Sequence, residues 1–394
     1  MSSYTAQQSV ILDPYYHSNK RTEFKLFNRN RQFSPKLRLV NFGVSQTTPA
    51  GLDADSFNIA GGILSLIKNI YLYFDDILVD QIKDANQYLP IQNLHKKMYT
   101  TFRDVDNKIK CSNLNLLRTE VDPTVLDLVE PSGKLLGMLD LTEVFPLLAV
   151  LNASSIMLAS IMEIRLSIEY ETNINKIFVA PVPQNFTINQ PEIVYDEYFG
   201  MQVANNGDFS VNIGAVENER FLLSGVAYKQ SVRVRAFDGK YLMNLLFQNV
   251  LNNAPIDDNL TVSKSDILND EKVNLQINGA TIVNFQGVDN DAKKLSFTVD
   301  SLALGNHFCP TGMSMQNAGV GNFGKYGPGL DALQTHLSYL GLDVNRMIND
   351  RILYEVSYAG DAQGACTVYA YGKVLKAVIK QGSTYLTSYI TQGM

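Results

Sequence analysis

The side chains that most often carry chemistry are few in this chain, and their spacing does not suit chemistry. The four histidines are His17, His95, His307 and His336, and none lies in an HExxH or HxH pattern that would bring two imidazoles to one metal. His307 and Cys309 are two residues apart, but no second pair follows at zinc-site spacing. No serine sits in a Gly-x-Ser-x-Gly elbow, so acyl transfer has no candidate nucleophile. Asp257-Asp258 and Asp289-Asn290-Asp291 are acidic but short, whereas a calcium loop needs oxygens at fixed offsets and a distal Glu; they read as turn residues. The Gly-rich stretch 309–329 has neither the Lys-Ser/Thr of a phosphate loop nor the glycine spacing of a dinucleotide turn, and reads as a surface loop. The sequence thus offers no catalytic residue, no cofactor-binding residue and no metal ligand, and the expectation is a protein that is not an enzyme.

Charge narrows the partners. The chain carries 33 Lys+Arg against 39 Asp+Glu, a net charge of −6, which argues against general nucleic-acid binding. One segment runs the other way: Lys20, Arg21, Lys25, Arg29, Arg31, Lys36 and Arg38 face a single acid, Glu23. That segment reads as part of an N-terminal arm over residues 1–35, either simply solvated or touching anionic material such as a genome or lipid headgroups. The three cysteines, Cys111, Cys309 and Cys366, are odd in number and far apart, as expected of a reduced protein inside a cell. The first ten residues lack the charged and apolar regions of a secretory signal, so the chain is not expected to be secreted.

The elements around these residues are mostly strands. The 394 residues suggest two domains of about 200 residues each. Twenty Tyr, 19 Phe and many Asn/Gly/Asp breaks point to β structure. The clearest strand is Ile161–Glu171, where Ile164, Leu166 and Ile168 alternate with Arg165, Ser167 and Glu169. Other strands are expected at 36–46, 63–74, 192–203, 209–216, 220–228, 231–235, 272–285, 351–358, 367–379 and 385–390. Helical spacing predicts helices at 75–96 with Asp75 or Asp76 as cap, at 140–151 behind an Asp140/Glu143 capping box, at 238–251 behind Asp238, and at 331–340 ending at Gly341. Val144–Met162 is uncharged, but Pro146, Asn152 and several serines favour a buried helix leading into a core strand over a membrane span. Ala180–Pro191, with three prolines, is the expected linker.

The phrase Gly133-Lys-Leu-Leu-Gly-Met-Leu-Asp-Leu-Thr-Glu-Val-Phe-Pro146, leading through a short helix into the Ile161–Glu171 strand, resembles the first jelly roll of double jelly-roll major capsid proteins, above all those of virophages and Polinton-like viruses. Arg38-Leu-Val-Asn41, Ile67-Lys-Asn-Ile-Tyr-Leu-Tyr73 and the Gln81–Leu94 segment look like the same family's first barrel. The resemblance covers residues 36–180; beyond 190 it rests on length and strand plan. It implies an all-β chain of two eight-stranded jelly-roll β-barrels side by side with a few short inserted helices: an arm at 1–35, a first jelly roll at 36–185 and a second at 186–394. It also implies a homotrimer forming pseudo-hexagonal capsomers of an icosahedral virion. Partners would be neighbouring capsomers, penton or minor capsid proteins, and an internal membrane or genome reached by the basic arm. Other readings are a minor or vertex capsid protein, and a carbohydrate-binding or glycoside-cleaving β-sandwich, whose carboxylate distances only a structure can give.

Overall fold

The computed structural model describes residues 7–27, 32–45, 62–89, 129–130, 134–158, 163–177, 186–198, 208–223, 229–251, 270–286, 339–358 and 366–391. In the first half the strands are β1 (Gln7–Leu12), β2 (Tyr16–His17), β3 (Arg21–Phe27), β4 (Gln32–Phe33), β5 (Arg38–Ser45), β6 (Ile67–Phe74), β7 (Ile77–Lys83), β8 (Val129–Glu130) and β9 (Lys134–Asp140). Helix α1 (Pro146–Ala153) follows, then β10 (Glu163–Tyr170), β11 (Thr187–Ile188) and β12 (Glu192–Tyr198). The second half runs β13 (Phe209–Leu223), β14 (Lys229–Val234), β15 (Tyr241–Leu251), β16 (Asp270–Ile277), β17 (Ala280–Gln286), β18 (Tyr339–Met347), β19 (Ile352–Tyr358), β20 (Cys366–Gln381) and β21 (Thr384–Tyr389).

These strands make four antiparallel sheets, two to each half of the chain. The first pair orders β1-β12-β5-β9 against β3-β10-β6-β7, with β2, β4, β8 and β11 as short additions. The second orders β13-β20-β15-β18 against β14-β19-β16-β17, with β21 beside β20. Numbered along the chain, each set of eight main strands places its first, eighth, third and sixth in one sheet and its second, seventh, fourth and fifth in the other. That is the jelly-roll order, and it occurs twice. No strand is shared between the two pairs.

Period-two alternation explains the elements. Thr22, Phe24 and Leu26 of β3 and Ile164, Leu166 and Ile168 of β10 point inward, while Arg165 and Glu169 lie on the opposite face, as their spacing requires. Phe42, Ile70, Leu72 and Phe74 fill the first jelly roll, and Phe237, Leu245, Val273 and Val356 fill the second. Phe247 stacks on Tyr354 at 4.2 Å in the second core. Each such side chain contributes on the order of 1.5–3 kcal/mol by leaving water. Two tight turns hold corresponding hairpins. Asp75-Asp76 joins β6 to β7 and Asn278-Gly279 joins β16 to β17, each with both residues at positive φ, the geometry that matches strand twist. Asn278 also ties in the next turn: it donates to Met347 O and accepts from Asn349 N and Asp350 N.

Several expectations are corrected here. Residues 7–27 of the expected arm are strands: β1 pairs with β12, and β3 pairs with β10 in the middle of a sheet. The expected break at 185/186 falls inside the first jelly roll, because β11 pairs with β5 and β12 with β1 and β5. The expected helix at 75–96 is instead a hairpin turn and strand β7, followed by a helical turn at 85–89. A strand with a buried Val79 and Ile82 and a helix with the same spacing look alike over so short a run. The expected helix at 238–251 is strand β15, which is buried on both faces and so reads as a continuous apolar run. Helix α1 starts at Pro146 rather than Asp140, whose carboxylate binds Thr142 N and Oγ1 in a local turn instead. Gly341 pairs with Leu246 within a strand. The two strands expected at 209–216 and 220–228 are one, β13, and the single strand expected at 272–285 is the β16–β17 hairpin. The 309–329 loop and nearly all of the 331–340 helix lie outside the described residues.

Gly372 of β20 tests how closely the second jelly roll is packed. A Cβ there would meet Leu242 Cδ1 and Phe237 Cε1 at 2.6 Å. Gly372→Ala is expected to destabilise the fold by about 1–3 kcal/mol in urea unfolding, because neither a core Leu nor a ring edge can move aside without strain elsewhere.

Candidate structural site: the seam between the two jelly rolls

A set of buried and half-buried polar contacts lies where the first jelly roll meets the long strands β13 and β20 of the second. It is built from two aspartates of the β7 region. Asp80 is the one acid in the otherwise uncharged start of β7, and it is fully buried. Helix α1 has Phe145 at its N-cap, with no side-chain cap, and Pro146 first in the helix. Leu147 N–H is therefore the first helical donor, and Asp80 Oδ2 accepts it at 3.0 Å, capping the helix from another element. Asp80 Oδ1 accepts Gln81 N–H at 2.9 Å. One residue back, Val79 O accepts a proton from Lys376 Nζ of β20 at 3.0 Å. Leu147, Leu148 and Leu151 bury the helix below.

Asp84 sits just after β7 with φ +47, a left-handed conformation that Asp tolerates better than most residues. Its N–H donates to Asn69 Oδ1. Its carbonyl accepts Tyr371 Oη–H of β20 at 2.9 Å and Gln87 N–H at 3.0 Å. Its carboxylate accepts Asn218 Nδ2–H of β13 at 3.0 Å and lies 4.0 Å from Arg220. Around it, Tyr88 packs on Tyr371 with ring centroids 5.1 Å apart, Gln248 Nε2 donates to Gln87 Oε1, and Lys176 Nζ donates to Tyr369 Oη. Phe74 and Tyr385 close the seam edge to face, 5.9 Å apart. The apolar cores of the two jelly rolls run together through this region as one cluster.

The electrostatics follow from burial. Desolvation pushes the Asp80 carboxyl from 3.8 up to about 6, against two backbone donors and the Lys376 ammonium that favour its charge. Burial lowers Lys376, while Asp80 and Glu217 pull it back up. Burial raises Tyr371 well above the usual phenol value, and the Asp84 charge acts in the same direction. Tyr371 is therefore a neutral donor at any ordinary pH.

None of the residues singled out for chemistry lies here. His17 hydrogen-bonds Thr22 Oγ1 and Ile188 O within the first jelly roll. His95, His307, His336, Cys111, Cys309 and both acidic pairs lie outside the described residues, and Cys366 begins β20. Among the described residues no group of three His, Cys, Asp or Glu could hold a metal, and no helix is long and apolar enough to cross a membrane. Two members of the expected basic arm are spoken for on the outer face of the first jelly roll. Arg21 pairs with Glu23 at 3.0 Å, and Lys25 pairs with Glu163 at 3.4 Å and lies over Tyr15. Arg165 on that face lies over the Tyr73 ring at 4.2 Å and pairs with Asp76. Arg21 and Lys25 thus face acids of their own sheet.

Comparison with solved structures places this arrangement. The chain is similar to PBCV-1 VP54, whose crystal structure was fitted into a reconstruction of the virophage Sputnik: TM-score 0.55 at 9% identity, covering 99% of this chain and 98% of that one. A cryo-EM structure of the Sputnik virophage gives 0.54 at 11% identity, covering 98% and 88%. The mavirus major capsid protein gives 0.54 at 8% identity, covering 97% and 90%. At these identities the shared property is the double jelly-roll fold. No family model matches the sequence, and no curated protein matches it.

Two measurements test the seam. The folded-state pKa of Asp80 lies above its unfolded value, so the folded protein holds that proton more tightly between about pH 4 and 6. The resulting stability is present at low pH and is lost as pH rises through about 6, on the order of 3 kcal/mol. Asp80→Asn should flatten that part of the stability–pH curve measured by chemical denaturation. Tyr371→Phe removes the bond to Asp84 O and is expected to cost about 1 kcal/mol in the same assay.

Proposed function

We propose that this chain is a virus capsid protein of the major, double jelly-roll type, acting as a structural subunit and not as an enzyme. The chain changes from one jelly roll to the other between Tyr198 and Phe209, and three copies form a pseudo-hexagonal capsomer of an icosahedral shell. The observation that carries this reading is that the likeness to the PBCV-1, Sputnik and mavirus proteins runs across both jelly rolls at once and nearly exhausts both chains. A vertex protein built on one jelly roll would match over half the chain.

The physics of the seam supports the same reading. A shell subunit must present its two barrels at a fixed angle, and side chains bonded across the seam from Asp84, Gln87, Lys176 and Lys376 oppose relative rotation. The further partners, neighbouring capsomers and penton or minor capsid proteins, follow from the capsid reading and belong to the proposal.

Light scattering after size exclusion is expected to give a mass near three times 43.9 kDa, with hexagonal particles in negative stain. A monomer that binds glycans would replace this reading with that of a carbohydrate-binding β-sandwich.

A further inference from the structure

Strands β1 and β21, the first and last among the described residues, carry no charged side chain. From Met1 to Leu12, and again from Gln381 to Met394, there is no Asp, Glu, Lys or Arg, although these make up 18% of the chain. Both strands lie at sheet edges. Among the described residues β1 pairs with β12 alone, and β21 with β20 alone. Open edges invite pairing with another chain, and proteins commonly blunt them with charge. Edge strand β14 carries Lys229 and Arg233, and edge strand β18 carries Asp343 and Arg346. Edge strand β17 is uncharged like β1 and β21, but only β1 and β21 lie near the ends of the chain.

They are also exposed. Every residue of β1 is exposed or half-buried, with Ile11 at 66%. Every residue of β21 except Tyr385 is exposed, with Leu386 at 56%. The backbone of β21 is set up for a further neighbour. The β20–β21 hairpin turns at Gly382-Ser383, with Gly382 at φ +58, and closes on the Gln381–Thr384 pair. Antiparallel pairs alternate between bonded and non-bonded, so Ile379–Leu386 and Ala377–Ser388 exchange hydrogen bonds. Ile390 N–H, donating to Leu375 O at 3.0 Å, continues the series. Thr387 and Tyr389 therefore direct their N–H and C=O groups away from β20, into the open edge.

We propose that β21 of one copy pairs along β1 of a second copy, joining one subunit's second jelly roll to the next subunit's first. The two strands match in length, six residues each, and neither brings a charge that pairing would desolvate or repel. Ile11 and Leu386 supply exposed apolar side chains to the junction. Because the strands belong to different jelly rolls, the contact is head-to-tail and propagates until it closes. Closure after three copies gives the trimer, so this inference rests on the capsid reading.

The test uses the full-length chain with Ile11→Lys and with Leu386→Lys. Each single Lys variant is expected to drop the light-scattering mass from three chains to one at equal concentration, with the far-UV β signature of the wild type kept because both sites are exposed. In the wild-type trimer the Thr387 amide should resist hydrogen exchange. Trimers that survive both Lys substitutions, or a Thr387 amide that exchanges freely in the wild-type trimer, overturn the pairing and leave the capsid reading standing. The Thr387 readout decides the matter if a Lys variant loses that β signature. Loss of trimers with Leu386→Lys but not with Ile11→Lys overturns β1 as the partner strand. A wild-type protein that stays monomeric and forms no capsomer overturns both readings.

Discussion

The relation of the two jelly rolls depends on a few buried and half-buried polar groups that bond across their seam. Asp84 is the centre of these: its carbonyl and carboxylate together bind β13 and β20, while its own N–H is held by Asn69 of β6. A purely apolar seam of the same area would be as sticky but less directional, because apolar burial scales with area and not with angle. Hydrogen bonds lose strength steeply with misalignment. Several of them at separate points along one seam therefore select a single orientation of the two barrels, which suits a subunit that must tile.

Asp80 shows how such a group is tolerated. Its carboxylate loses water entirely, which raises its pKa, but it gains two backbone N–H donors and a nearby ammonium. One of those donors belongs to helix α1, which has no capping side chain of its own. Helix, strand β7 and strand β20 thus meet at one point, and Lys376 reaches the carbonyl next to Asp80 from the other barrel. Removal of any one partner would leave a buried polar group exposed to the low dielectric of the core, which is why the set behaves as a unit.

The outer face of the first jelly roll follows a different rule. Its charges are numerous but paired within the sheet, Arg21 with Glu23, Lys25 with Glu163 and Arg165 with Asp76, and each cation also lies over a tyrosine ring. Such pairs at a surface contribute little to stability.

The sequence alone determined the β class, most strand positions and the inward set Ile164, Leu166 and Ile168, because period-two burial is a local property. It also carried the resemblance of residues 36–180 to capsid jelly rolls. It misjudged β7 as a helix because its buried Val79 and Ile82 are three apart over a short run, and β15 because a strand covered on both faces loses its alternation; it took β1 and β3 for an arm because their partners lie over a hundred residues away. The seam was not legible at all. Asp80, Asp84, Tyr371 and Lys376 are ordinary residues of ordinary strands. Only the tertiary structure decided that they meet, because contacts between residues nearly three hundred positions apart leave no periodic trace in the chain.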